Sequence, residues 1–200
     1  MISMAEIDGV EDWLIDQSLG SPDLGSMFGE MCERLRACEV PVDRAMIGWS
    51  TLHPLIEAEA AIWENGTEIQ REQIAHNAEE TDEWLQSPVR AVLVNQESVL
   101  RRRLTNANAP LEFPLLVRLK ESGYSDYIVI ATEFDLPTIK DQIATSGIVI
   151  SWATRETDGF SDDALTAIRY IQKRFALAAR ATIQGQINQT IAETYLGKIA

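Results

Sequence analysis

Apolar residues recur in this chain with two different periods, and the switches between them outline the elements. Leu24, Phe28, Met31, Leu35 and Cys38 follow spacings of four, three, four and three, with Met27 and Cys32 beside them. That is the stripe of a helix with one buried face, or the seam of a helix pair. Ser21, Pro22 and Asp23 are start signals, so a helix is predicted over Asp23 to Cys38, with a shorter one before it over Glu11 to Leu19. Val42 to Leu52 and Glu59 to Trp63 read as strands, the second closed by the turn residues Asn65 and Gly66. From Thr81 to Ser122 the pattern changes to short helices and loops. Thr81 reads as an N-cap there, and Pro110 and Pro114 bracket the start of a helix that ends near Gly123. Asp126 to Phe134 and Ile143 to Thr154 are nearly continuous apolar runs, as expected of strands in the middle of a sheet covered on both sides.

The last helix is predicted to start at Ser161, an N-cap with Asp162 and Asp163 in its first turn, and to run to the terminus. Ile183, Ile187, Ile191 and Tyr195 recur on it every four residues. Such a stripe predicts a helix that leaves its domain to continue elsewhere or to pair with a copy of itself, with Leu24, Phe28, Met31 and Leu35 as a second pairing stripe. The other reading is a helix folded back on its own domain and capped by Gly197. The element order fits an α+β fold: an antiparallel sheet with the N- and C-terminal helices on one face and the helical and loop insertion on the other.

Charge narrows the function. Acidic residues number 31 against 17 basic, a net charge of −14, which argues against nucleic-acid binding because phosphate contact needs a basic surface. No apolar run approaches the roughly 18 residues of a membrane span, and the start MISMAEIDGVEDW lacks the regions of a signal peptide, so a cytoplasmic location is expected. Cys32 and Cys38 sit six residues apart in one predicted helix and point in different directions, and the chain has only two histidines. Core packing is the expected role of both thiols, and no metal site is expected. No nucleophile elbow, phosphate-binding glycine loop or His-Glu-x-x-His motif is present, so no catalytic residue is assigned and chemistry within this chain is not expected.

The element order, with the strand-to-helix passage TDGFSDDALTAIRYI, resembles a GAF domain, a small-molecule sensory fold of signalling proteins. The strand end TLHP (Thr51 to Pro54), the run RRRL (Arg101 to Leu104), the segment FPLLVRLKESGYSDY (Phe113 to Tyr127) and the terminal TYLGKIA (Thr194 to Ala200) resemble, in that order, the region before the catalytic domain of bacterial class III adenylate cyclases. The resemblance covers about residues 11 to 200. It implies a sensory domain over residues 11–183 and the start of a signalling linker over 184–200, in a homodimer that passes ligand state to a cyclase domain outside this chain. That domain would bring paired aspartates and magnesium or manganese; no cofactor is implied within this chain. The loop FDLPTIKDQ (Phe134 to Gln142) departs from the family pattern, being longer and without a glycine turn.

Several residues are candidates for ligand contact. Arg101, Arg102 and Arg103 are the densest positive charge in the chain. In an extended segment Arg101 and Arg103 share a face and can hold a carboxylate or phosphate, or they pair with the chain's own carboxylates. His53, before Pro54 at a strand end, is placed to touch a ligand or to hydrogen-bond a loop. Trp49, Tyr127 and Trp152 fall on predicted strands. Gly147, Ser151 and Ala153 alternate with Ile148, Ile150 and Trp152, so small side chains on one face leave room for a small molecule.

Overall fold

The two long apolar runs do form the centre of the sheet. The computed structural model describes residues 2–51, 56–75, 80–106, 111–134 and 147–196. Its strands are β1 (Arg44–Ser50), β2 (Ile56–Glu64), β3 (Gln70–Ala75), β4 (Val99–Arg103), β5 (Asp126–Glu133) and β6 (Gly147–Thr154), in the order β3-β2-β1-β6-β5-β4 with every neighbour antiparallel. Residues 143–146, expected to open the last strand, lie outside the described residues. The two edge strands are additions to the expected set. All six residues of β3 are exposed, so no alternation marks it. β4 carries the arginine run, whose charge hides its pairing of Val99 with Ile130 and Arg103 with Asp126.

The helices α1 (Met4–Ser18), α2 (Leu24–Ala37) and α6 (Asp162–Leu196) cover one side of the sheet, the helical face, and share its larger core. The insertion supplies α3 (Asp82–Leu85), α4 (Pro88–Val94) and α5 (Pro114–Glu121), which close a second core on the opposite side, the insertion face. Predicted caps form as expected. Thr81 Oγ1 accepts the Trp84 amide at 3.2 Å, Asp23 Oδ1 the Ser26 amide at 2.8 Å, and Ser161 Oγ the Ala164 amide at 3.2 Å. The first helix begins at Met4 instead of Glu11, because Ile7 and Val10 are buried on the same face as Leu14 despite the acidic residues between them.

The apolar stripes expected to pair with a second copy are used inside the chain. Leu24, Phe28, Met31 and Leu35 are at most 2% exposed, and Phe28 packs its ring 6.3 Å from Trp152 and 5.9 Å from Phe175. Ile183 and Ile187 belong to the same core, against which α1 is laid. A stripe has one face to spend, and this one meets the domain. The side chains of Ile191 and Tyr195 lie outside the described residues, as does Gly197. The helix α6 runs unbroken through Gly185.

Candidate functional site

β4 and β5 place Arg101 beside the first residue of β5. Arg101 Nε and Nη2 both donate to the carboxylate of Asp126, the latter at 2.5 Å, and Nη2 also reaches the Phe160 carbonyl at 2.9 Å. Asp126 is fully buried and takes the Phe160 amide as well, at 3.1 Å. A buried carboxylate needs this much compensation. The turn that presents Phe160 depends on Gly159, at φ 69°, where a Cβ would fall 2.6 Å from Asp126 Oδ2. Arg103 donates to the Asp158 carbonyl at 2.7 Å, and Arg102 binds Glu112 at 2.5 Å on the other side of the strand. Of the two readings of the run, ligand grip or pairing within the chain, the geometry matches the second for Arg101, and the guanidinium groups of Arg101 and Arg103 fasten β4 to the turn that starts α6.

The aromatic candidates separate by face. Trp152 is buried on the helical face, with its indole N–H donating to Gln172 Oε1 at 2.9 Å, while Gln172 Nε2 donates to the Ile130 carbonyl and to Thr132 Oγ1. Trp49 is on that face too, 8% exposed, and its buried indole N–H has no partner among the described residues. Both are core residues of the helical face, so neither lines the insertion side. His53 lies outside the described residues, as does His76.

Tyr127 is the candidate that points into the insertion side. It is fully buried among Val129, Val149 and Ala153, and its hydroxyl makes no hydrogen bond among the described residues. Burial pushes the phenol up to about 12, with nearby Ser151 and Arg44 slightly favouring its ionised form. Ser151 is itself buried on this face, but the two hydroxyls form no well-aligned hydrogen bond. Beside them the floor of small side chains extends across Gly48 and Ala60, which face each other in the β1–β2 register, and both are half-buried. The helix α4 packs on β4 and β5, so the β1–β2 part of this face is the less covered part among the described residues. At its edge Tyr124 donates to Glu64 at 2.6 Å, and Arg155 stacks 4.1 Å over the Tyr124 ring while binding Glu64 at 3.1 Å. The Tyr124 hydrogen bond, set against partial burial and helped by Arg155, lowers the Glu64 pKa.

Asp126, Gln172 and Glu64 carry these networks and were not among the residues singled out from sequence. Gln172 did leave a signal, as the polar position in the apolar stripe Ile168, Ile171 and Phe175. Asp126 opens an otherwise apolar strand. Among the described residues no three His, Cys, Asp or Glu side chains converge as metal ligands, and no helix is long and apolar enough to cross a membrane. Cys32 and Cys38 are buried free thiols whose pKa values are raised by burial.

This architecture is the GAF fold. The chain superposes on the phycoerythrobilin-bound GAF domain of a cyanobacterial phytochrome with a TM-score of 0.53 at 18% identity, covering 88% of this chain and 95% of that one. The phycocyanobilin-bound GAF domain of a cyanobacterial phytochrome gives 0.52 at 19% identity, over 88% and 94%. The A. aeolicus nlh2 GAF domain in an inactive state gives 0.50 at 10%, over 92% and 98%. No protein-family model matches the sequence, and no curated protein does.

Proposed function

We propose that this chain is a regulatory sensory module that takes a small molecule over the insertion face of its sheet and passes the bound state on through α6. The observation that carries the reading is the Tyr127 hydroxyl, fully buried with only the ill-aligned Ser151 hydroxyl near it, beside a floor of small side chains. An unpaired buried hydroxyl costs about 1–3 kcal/mol, and a ligand acceptor or donor placed there removes that cost. The phytochrome domains that share the fold are bilin-bound, which supports a small-molecule role without naming the molecule here. The route out of the site is short, because Trp152 of β6 and Ile130 of β5 are tied to α6 by Gln172.

The sequence elements TLHP, RRRL, FPLLVRLKESGYSDY and TYLG favour an adenylate cyclase as the protein regulated, with two copies of the module acting as a homodimer. The test has two arms. A thermal-shift screen of small metabolites on wild type and Tyr127→Phe is expected to find a ligand whose stabilisation falls in the variant. Assay of cyclic AMP production by the parent protein, with and without that ligand, tests the cyclase assignment. A ligand without cyclase activity keeps the sensor and removes the cyclase; cyclase activity with no ligand leaves a pairing scaffold.

A further inference from the structure

Beyond the Arg101–Asp126 pair, the helical face of β4 and β5 opens into a cavity of about 350 Å³ against α6. Val99 and Ile130, opposite each other in the β4–β5 register, and Gln172 are among its walls. Arg169, Lys173 and Glu133 also line it. It lies on the opposite side of the sheet from Tyr127, so it does not depend on the function proposed above. Its volume is at the lower end of the range of roughly 300–1,000 Å³ typical of small-molecule sites.

The two cations are among the basic side chains of the described residues that have no ion pair. With a net charge of −14 there is a surplus of carboxylates, and most arginines on the described surface are paired. Arg174, on the same helix, is bound to Glu11 at 3.0 Å. Arg169 and Lys173, one turn apart on α6, have no ion pair or hydrogen bond among the described residues, although Glu133 shares the cavity with them. Two positive side chains against one negative, beside the apolar surface of Val99 and Ile130, match a molecule with an anionic head and an apolar body.

We infer that this cavity binds a small monocarboxylate with a short apolar tail, its carboxylate between Arg169 and Lys173 and its tail against Val99 and Ile130. Arg169 offers a planar fork suited to a carboxylate, Lys173 a point charge beside it. A molecule held this way bridges the edge strand β4 and α6, next to the residue that already ties α6 to β5. Occupancy therefore stiffens the attachment of α6 to the sheet, from the side opposite the Tyr127 site.

Titration of the protein with octanoate, octanol and inorganic phosphate, followed by calorimetry at low salt, tests the inference. Saturable binding of octanoate, at least tenfold tighter than octanol or phosphate, is expected because only octanoate carries both features. The double variant Arg169→Gln/Lys173→Gln should weaken octanoate about tenfold, the scale of charge-assisted hydrogen bonds discounted for exposure. Val99→Trp, at an exposed position, should weaken it by filling the cavity while leaving both charges in place. Lys120→Gln, a half-buried cation on α5 outside the cavity, should change nothing. No saturable octanoate binding, equal binding of octanol, or octanoate affinity unchanged in the double variant would each overturn the site. Unchanged melting midpoints in the variants confirm that folding is not what is read.

Discussion

The two faces of the sheet are filled in different ways. On the helical face three helices and the strands share a core in which Phe28, Trp152 and Phe175 interlock and Gln172 has a partner for each of its groups, although the Trp49 indole N–H there has none among the described residues. On the insertion face the core is smaller, the helices over it are short, and Tyr127 keeps an unpartnered hydroxyl at its centre. A fold gains stability by satisfying what it buries, and the unsatisfied hydroxyl under the thinner cover is where binding has more to gain. The helical face carries the larger core, and the insertion face is the more thinly covered of the two.

The sharpest way to break that comparison is to remove its largest asymmetry. Phe28→Ala should cost about 3–5 kcal/mol, since a fully buried ring contacting two others leaves a cavity. Chemical denaturation measures it. A loss under 1 kcal/mol would show that the helical core is loosely packed.

Arg101→Met tests the fastening between β4 and the start of α6. Removing one partner of a buried pair leaves Asp126 with the Phe160 amide alone, a cost of about 3 kcal/mol, reduced somewhat because Arg101 is 26% exposed. Arg102→Ala, whose partner Glu112 is on the surface, should cost about 0.5 kcal/mol or less. Equal effects of the two substitutions on the melting midpoint would mean that the buried ion pair is not what holds the turn.

Acid sharpens the comparison further, because each face has a depressed carboxylate. A hydrogen bond from Arg71 holds Asp23 well below its ordinary range at the start of α2, and one from Tyr124 lowers Glu64 on the insertion side. A lowered folded-state pKa gives stability that is present above the unfolded values near 3.8 and 4.5 and is lost as pH falls through the folded ones. Both groups are partly exposed, so each contributes about 1 kcal/mol or less after solvent screening. The melting midpoint should fall below about pH 4.5, and Tyr124→Phe and Arg71→Gln should each flatten that fall. An unchanged slope in both variants would remove these carboxylates as its cause.

How much of this was legible depends on whether a residue's partner is near it in sequence. The α2 stripe and its Asp23 cap are written within a dozen residues, and the apolar runs of β5 and β6 declare their own burial. The destination of the stripes was not legible, because Phe28 meets Trp152 and Phe175 far along the chain, and a stripe looks the same whether a sheet or a second helix covers it. The arginine run was visible, but Asp126, 25 positions on, decides what Arg101 does. β3 gave no pattern because an exposed edge strand imposes none. Tyr127 was visible as a strand aromatic, yet the unpaired state of its hydroxyl depends on the register that sets Ser151 and Ala153 beside it.

Tyr127→Phe carries the smallest expected change and speaks most directly to the difference between the faces. If the hydroxyl is buried with no partner, its removal takes away an unpaid desolvation cost at nearly constant volume. The variant should be as stable as wild type or more stable, by up to about 1 kcal/mol, a rise of roughly 2–4 °C in melting midpoint for a chain of this size. Gln172→Leu on the helical face should do the reverse, costing about 1–3 kcal/mol by stranding the buried Trp152 indole N–H. Both substitutions trade a buried polar group for an apolar one, so opposite signs isolate whether that group was satisfied. A clear loss of stability in Tyr127→Phe would show that the hydroxyl already has a partner, and the insertion face would then lose its claim as the responsive side.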